Sequence, residues 1–151
     1  MAFDAGMMCA VTSELQEKLA GSRVEKIYQP ERDEIIIALH TKSGGAKLDI
    51  CATPGSSRIN ITTVQKENPQ NPPSFCTLLR KHLSGARLLE VSMPGFERVA
   101  KITFEARDEM GFSQTRILFI EIMGKYSNMI LTDGGLKISG VLRPVDFSLS
   151  V

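Results

Sequence analysis

The sequence predicts an α+β domain with an N-terminal helix, a central helix and two antiparallel meanders that form a sandwich or a half-open barrel. Apolar residues recur at helical spacing in two segments, and short strand-like runs are separated by polar turns. Strands and helices do not alternate as they would in a parallel sheet. The 151 residues suit one domain and can bury a core.

The first helix is predicted by an apolar stripe at spacings of three and four, formed by Met8, Val11, Leu15 and Leu19. Asp4 is a candidate N-cap, and Gly21 is a candidate stop because glycine tolerates the left-handed conformation. Strand-like runs with short joins follow and indicate the first meander: residues 23–29, 34–40, 47–52 and 58–62.

The second helix is predicted over residues 73–83, after a polar, proline-rich segment. Pro72 and Pro73 favour a helix start, and Asn71 is a candidate cap. We expect Arg80 and Lys81 to point away from the apolar face, which consists of Phe75, Leu78, Leu79 and Leu83.

The second meander is predicted from residues 87–93, 98–106, 115–123, 127–132 and 136–141. Asp133-Gly134-Gly135 is a strong hairpin signal, because glycine can supply the positive φ that tight turns need. The last residues contain no stop signal, so we expect the chain to be a fragment of a longer protein.

Composition restricts the function. The net charge is +1, so a nucleic-acid or membrane role must depend on a local patch. Three cysteines, an odd number with no CxxC pair, indicate buried thiols in a reducing compartment. We find neither a signal peptide nor a transmembrane run, which predicts a cytoplasmic protein with no membrane partner.

Enzyme motifs are missing. Gly124-Lys125 lacks the glycine and the Ser/Thr of a phosphate loop, and neither histidine, His40 or His82, has metal-ligand spacing with a cysteine. His82 lies beside an apolar helix face, which favours a partly buried structural role. We therefore expect no catalytic residues, no metal and no cofactor.

A local basic excess is the main functional signal from composition. Between residues 80 and 101 there are five cations and two acids: Arg80, Lys81, Arg87, Arg98 and Lys101 against Glu90 and Glu97. Such side chains neutralise phosphates, although an ordinary solvated surface has the same composition.

The segment Gly124–Asn128 interrupts two apolar runs. It is typical of a tight turn or bulge between core strands, since Gly124 is permissive and Ser127 and Asn128 can bond to turn backbone. A functional interpretation adds that Lys125 and Tyr126 are displayed for phosphate contact and base stacking.

Several phrases together resemble the N-terminal domain of the NFACT family: MAFDAGMM, VEKIYQPERDEI, PPSFCTLLRKHLSGARL and EIMGKYSNMILTD. The resemblance covers nearly the whole chain. It implies a domain similar in fold to the N-terminal domain of formamidopyrimidine-type DNA glycosylases. It also implies a ribosome-associated quality-control factor that binds tRNA, specifically alanyl-tRNA, and the large ribosomal subunit with its stalled peptidyl-tRNA and rRNA. Such factors promote alanine tailing, while the ribosome performs peptide transfer.

The resemblance also implies site residues. The family's Asp-Arg pair for tRNA handling corresponds to Glu97-Arg98 here, and its Glu-Ile-Met triplet to Glu121, Ile122 and Met123. The family's Arg-His after the glycine is replaced by Lys125-Tyr126, while Ser127 and Asn128 match; a lysine keeps the charge but loses bidentate phosphate geometry. We expect at least one of Ile122 and Met123 to serve mainly in the core.

Two other functions compete with this prediction. Family members have been called fibronectin- or fibrinogen-binding proteins, which suggests a surface adhesin, but the missing signal peptide and disulfides argue against it. A DNA-repair glycosylase is disfavoured because Met1-Ala2-Phe3-Asp4 lacks the N-terminal proline and following glutamate that those enzymes use.

Overall fold

The computed structural model describes residues 5–52, 58–62, 73–93, 99–122 and 127–142, with side chains from residue 9 onward in the first helix. Two helices and nine strands lie within these ranges: α1 (Ala5–Leu19), β1 (Arg23–Glu31), β2 (Glu34–Thr41), β3 (Gly44–Cys51), β4 (Arg58–Thr62), α2 (Ser74–Leu83), β5 (Arg87–Ser92), β6 (Val99–Arg107), β7 (Ser113–Glu121), β8 (Asn128–Asp133) and β9 (Ile138–Val141).

The strands form one antiparallel sheet in the order β4-β3-β2-β1-β5-β6-β7-β8-β9. Both predicted meanders are confirmed, but they are joined edge to edge and do not stack as two separate sheets. Within the described residues the sheet is open, with β4 and β9 at its ends. The fold is therefore mostly β, and its similarity to the glycosylase domain stays a prediction.

The joint between the meanders is short. β1 and β5 pair directly only at Arg23 and Arg87. Backbone hydrogen bonds extend the contact, since the Val24 N–H donates to Ala86 O at 2.8 Å and the Leu88 N–H donates to Ser22 O at 2.8 Å. Beyond Val24 the strands separate, so the rest of β1 needs other partners on that side.

α1 packs on the sheet near this joint, with Leu15 and Leu19 buried and Val11 packed against the core. The Gln16 side chain accepts a hydrogen bond from the Val91 N–H at 2.6 Å, which fixes the helix to β5. The predicted stop is confirmed: the helix ends at Leu19, and Gly21 has a φ of +86°. The Asp4 cap and the Met8 side chain lie outside the described residues.

α2 packs against β1, β6 and β9, beside the point where β1 leaves β5. Its buried residues are Phe75, Cys76, Leu79 and Leu83. Asn71 lies outside the described residues, and the N-cap position falls to Pro73, which makes no side-chain cap bond. At the other side of the helix, a Cβ on Gly140 would collide with Leu78, so glycine allows β9 to approach α2.

The expectation that Arg80 points away from α2's packed face is wrong. The Arg80 Nε–H donates to the backbone oxygen of Ile27 at 2.8 Å, and the Cys76 thiol donates to the same oxygen at 3.6 Å. Ile27 lies where β1 has left β5, so the helix satisfies a carbonyl that the joint leaves unpaired. Lys81 is exposed, as expected.

The turn between β8 and β9 is confirmed, but its geometry differs from the prediction. The Asp133 carboxylate accepts hydrogen bonds from the Gly135 and Lys137 N–H groups, both at 2.9 Å. The positive φ of 66° falls on Leu136 and not on either glycine. The aspartate therefore holds the turn by an Asx-type interaction, and a non-glycine residue adopts the left-handed conformation.

Candidate nucleic-acid interface

Three strand ends meet at one end of the second meander. β6 begins at Val99, β7 ends at Glu121 and β8 begins at Asn128; Val99 is the register partner of Glu121, and Glu121 is the partner of Asn128. The adjacent residues along the three strands are buried in the core: Ala100, Ile120 and Met129. Since side chains alternate along a strand, the Val99–Glu121–Asn128 row lies on the opposite face.

The row includes two of the predicted RNA-binding residues. Glu121 is half-buried. Asn128 is 2% exposed, and its Oδ1 accepts a hydrogen bond from the Met129 N–H at 2.9 Å. The Asn128 side chain is therefore partly committed to its own strand, which favours a supporting role beside the surface over direct contact with RNA.

Ile122 directly follows β7 and is 2% exposed within the hydrophobic core. The expectation that at least one of Ile122 and Met123 serves mainly in packing is confirmed by Ile122. Ser127, the next described residue after Ile122, is fully buried. The remaining predicted residues lie outside the described residues, so their roles stay predictions: Glu97, Arg98, Met123, Lys125 and Tyr126.

The basic window between residues 80 and 101 is divided among three elements. Arg80 binds the Ile27 carbonyl, Arg87 is a register partner of Glu105, and Lys101 is half-buried on β6. Lys81 lies instead on a groove beside Arg107 and Arg116. Sequence reasoning missed these two arginines, although both lie at the join between the predicted strands 98–106 and 115–123.

A buried acid pair was also missed. Arg58 Nη2 donates to Asp49 Oδ2 at 3.0 Å and to Glu34 Oε2 at 3.3 Å, and the side chains of Asp49 and Glu34 are 3% and 1% exposed. Burial, then a hydrogen bond and charge repulsion from Glu34, raises the pKa of Asp49 to about 6, against the opposing effect of Arg58. The register of β2, β3 and β4 brings the three together, which their spacing in sequence does not reveal.

Within the described ranges, no group of three or more histidine, cysteine or acidic side chains is arranged to hold a metal ion. None of the described helices is long and apolar enough to cross a membrane. At the Val99–Glu121–Asn128 row, the polar groups are the half-buried Glu121 carboxylate and the buried Asn128 amide.

Solved structures with the same fold come from streptococci and a staphylococcus. The N-terminal domain of fibronectin-binding protein PavA from Streptococcus pneumoniae aligns with a TM-score of 0.93 at 33% identity, over 99% of this chain and 57% of that one. The fibrinogen-binding protein from Staphylococcus aureus aligns with a TM-score of 0.85 at 31% identity, over 97% of this chain and 52% of that one.

The chain belongs to the NFACT family, because the family model for NFACT N-terminal and middle domains matches residues 4–151. Among its relatives is the Rqc2 homolog RqcH of Bacillus subtilis, which is 41% identical over 138 residues, covering 91% of this chain and 24% of that protein. The human ribosome quality control complex subunit NEMF is 32% identical over 136 residues, covering 89% of this chain and 12% of that protein. The chain thus spans about a quarter or less of these relatives.

Proposed function

We propose that this chain is the NFACT N-terminal domain of a cytoplasmic ribosome-associated quality-control factor, where it binds tRNA and the large ribosomal subunit during alanine tailing of stalled nascent chains. The names of its bacterial and human relatives support a ribosome quality-control factor. Direct contact of this domain with tRNA and with the large subunit is the more specific part of the proposal, and the names of the relatives do not state it. The domain binds and positions its RNA partners, while the ribosome carries out peptide transfer.

The observation that carries the proposal is the Val99–Glu121–Asn128 row. The row places the start of β6, the end of β7 and the start of β8 side by side, and each predicted site segment adjoins one of these ends in the sequence. Arg98 directly precedes Val99, Met123 follows Ile122, and Lys125 precedes Asn128. A half-buried carboxylate at Glu121 can orient an arginine that contacts RNA phosphate or a base edge.

The test is binding of purified tRNA by the 151-residue chain as a function of salt, beside Arg98→Ala. We expect Arg98→Ala to weaken binding and to reduce the salt slope by about one, since one phosphate contact is lost. Arg32→Ala, which removes an exposed arginine from the β1–β2 turn, is the matched control and should bind as the unmodified chain does. Equal tRNA affinity in a folded Arg98→Ala variant would contradict the assignment.

Fibronectin or fibrinogen binding stays the alternative prediction. It appears in the names of the structural relatives, and no described residue of this chain favours it. Saturable binding of immobilised fibronectin by the chain, unaffected by Arg98→Ala, would support that alternative.

A further inference from the structure

A polar groove lies at the opposite end of β6 and β7 from the Val99–Glu121–Asn128 row. It opens between the last turn of α2 and the β6–β7 turn, and its volume is about 370 Å³. The side chains that matter for its chemistry are Lys81, His82, Arg107, Asp108, Gln114 and Arg116. β6 runs from Val99 to Arg107, so at 3.3–3.4 Å per residue the two regions are separated by about 27 Å.

The cations of the groove have no acidic partner among the described residues. Arg107 Nη1 donates to the Gly111 carbonyl at 3.3 Å. Arg116 donates from Nη2 to Gln114 Oε1 at 2.9 Å and from Nη1 to Ser139 Oγ at 3.4 Å. All of these acceptors are neutral, so no described carboxylate pairs with either guanidinium group, and Lys81 is exposed.

The two acidic residues that line the groove, Asp108 and Glu109, do not balance the positive charge of its three cations. Asp108 Oδ1 accepts hydrogen bonds from the Met110 and Phe112 N–H groups, both at 2.9 Å, and Oδ2 accepts from Gln114 Nε2 at 3.3 Å. Asp108 is therefore committed to shaping the β6–β7 turn. Glu109 is exposed in the same turn, so three cations face two carboxylates, of which one is already engaged.

The pKa of His82 reflects burial and the positive charge around the groove. Burial lowers its pKa, and the charges of Arg116 on β7 and Lys81 on α2 lower it further. The other charged groups that line the groove are Arg107, Asp108 and Glu109 on the β6–β7 hairpin. An anion that enters the groove should reverse part of this effect, because binding and protonation are linked.

The β6–β7 turn, which borders the groove, carries two exposed apolar side chains. Met110 lines the groove and is 82% exposed, and Phe112, two residues further along the turn, is 66% exposed. An exposed phenylalanine near cations that have no acidic partner among the described residues is suited to unstacked RNA, since the cations contact phosphate and the ring stacks on a base.

We propose that this groove is a second RNA-contacting site, in which Lys81, Arg107 and Arg116 bind a backbone phosphate and Phe112 stacks on an adjacent unpaired base. This inference goes beyond the proposed function because it assigns RNA contact to residues about 27 Å, measured along β6, from the predicted tRNA site. The RNA is either the tRNA held at that site or ribosomal RNA, and the phosphate chemistry is the same for both.

The primary test uses NMR of the 151-residue chain titrated with a short oligouridylate. We expect the amide resonances of Lys81, His82 and Gln114 to shift, and the pKa of His82 to rise when the oligonucleotide is bound. Arg107→Gln and Lys81→Gln should each weaken binding about fivefold, and each should reduce the salt slope by about 0.7. Arg32→Gln and Lys42→Gln are the matched controls, because both remove an exposed cation from turns of the first meander.

Stacking is tested separately. Phe112→Ala should weaken oligouridylate binding about tenfold, and Phe112→Tyr should restore it, since a tyrosine ring stacks equally well. Met110→Ala removes a similarly exposed apolar side chain and should have little effect. The proposal is overturned if groove resonances do not move with the oligonucleotide, or if the folded charge variants bind it as tightly as the controls do.

Two further comparisons identify the source of the phosphate and separate this inference from the proposed function. Weaker binding of purified tRNA by Arg107→Gln assigns the groove to tRNA, and weaker binding of vacant large subunits assigns it to ribosomal RNA. Suppose that the groove resonances shift with oligouridylate but Arg98→Ala does not change tRNA binding. This result would refute the Arg98 assignment and would still support the groove as an RNA site. If the groove variants bind both purified tRNA and large subunits as tightly as the unmodified chain does, the groove proposal is overturned and the proposed function is not affected.

Discussion

At the residue scale, Asp49 shows how the sheet perturbs a single side chain. It lies on β3 with its Oδ2 held by Arg58, while its Oδ1 is buried without a hydrogen-bond partner among the described residues. Glu34 is the neighbouring acid and shares the same arginine. One cation between two buried carboxyl groups cannot fully offset the cost of charging both, so Asp49 holds a proton up to about pH 6.

Stability should therefore depend on the protonation of Asp49. The folded-state pKa of about 6 lies above the usual 3.8, so the folded chain binds this proton more tightly than the unfolded chain does. The resulting stabilisation is complete below about pH 3.8 and is lost as the pH rises through about 6. We expect it to amount to about 3 kcal/mol in total, of which urea unfolding between pH 5 and 7.5 measures about half.

Asp49→Asn is the diagnostic variant because an amide keeps the shape and can donate to Glu34 without titrating. We expect its free energy of unfolding to change much less with pH over this window. Glu109→Gln, which removes an exposed carboxylate, should keep the pH dependence of the unmodified chain. Parallel pH profiles for Asp49→Asn and the unmodified chain would show that the acid pair does not contribute.

At the scale of elements, α2 serves as a partner for a strand and not only as a cover for the core. β1 pairs with β2 along its length but leaves β5 after Val24, so within the described part of the chain the Ile27 carbonyl has no strand partner on that side. Arg80 and Cys76 reach it from consecutive turns of the helix. A basic residue that the sequence assigns to the surface is thereby used to hold the helix on the sheet.

Arg80→Met should destabilise the chain by about 1–2 kcal/mol, because the variant keeps the apolar stem but leaves the Ile27 carbonyl without its strongest donor. Lys81→Met is the control, since Lys81 is exposed on the same turn and makes no described bond to the sheet. Chemical denaturation followed by circular dichroism measures both. If the two variants lose equal stability, the Arg80–Ile27 bond is not a significant contributor.

At the scale of the whole molecule, one core spans both meanders. It includes Ile37 and Leu48 from the first meander, Phe104 and Leu118 from the second, and Leu79 from α2. The direct joint between β1 and β5 is short, so this shared core is what prevents the two halves from moving independently. The halves should therefore unfold together in one cooperative transition.

Thiol accessibility tests this picture of the core. The expectation of three buried thiols is wrong for Cys9, which is exposed on α1, while Cys51 and Cys76 are buried. Burial also raises the pKa of Cys76, which lowers its thiolate fraction. One thiol should react rapidly with an aromatic disulfide reagent in the native chain, and all three should react after unfolding.

Cys9→Ser should abolish the rapid phase of this reaction and leave the slow phase unchanged. A second rapid thiol in the native chain would mean that β3 or α2 separates from the core more readily than the burial of Cys51 and Cys76 indicates.

The sequence by itself determined the kind and order of the elements and the family of the chain. Alternating burial in β6, the apolar stripe of α1 and the glycine at its end are local properties, and local periodicity reports them directly. The family motifs likewise named candidate residues such as Arg98 and Glu121 without any coordinates.

Only the tertiary structure decided how distant residues meet. The β1–β5 joint that pairs Arg23 with Arg87, the Arg80 bond to Ile27 and the grouping of Arg107 with Lys81 depend on backbone pairing between remote segments. Backbone hydrogen bonds are the same for every residue type, so side-chain patterns carry little information about which strands become neighbours. For that reason the charge excess seen along the sequence differs from the charge arrangement on the folded surface.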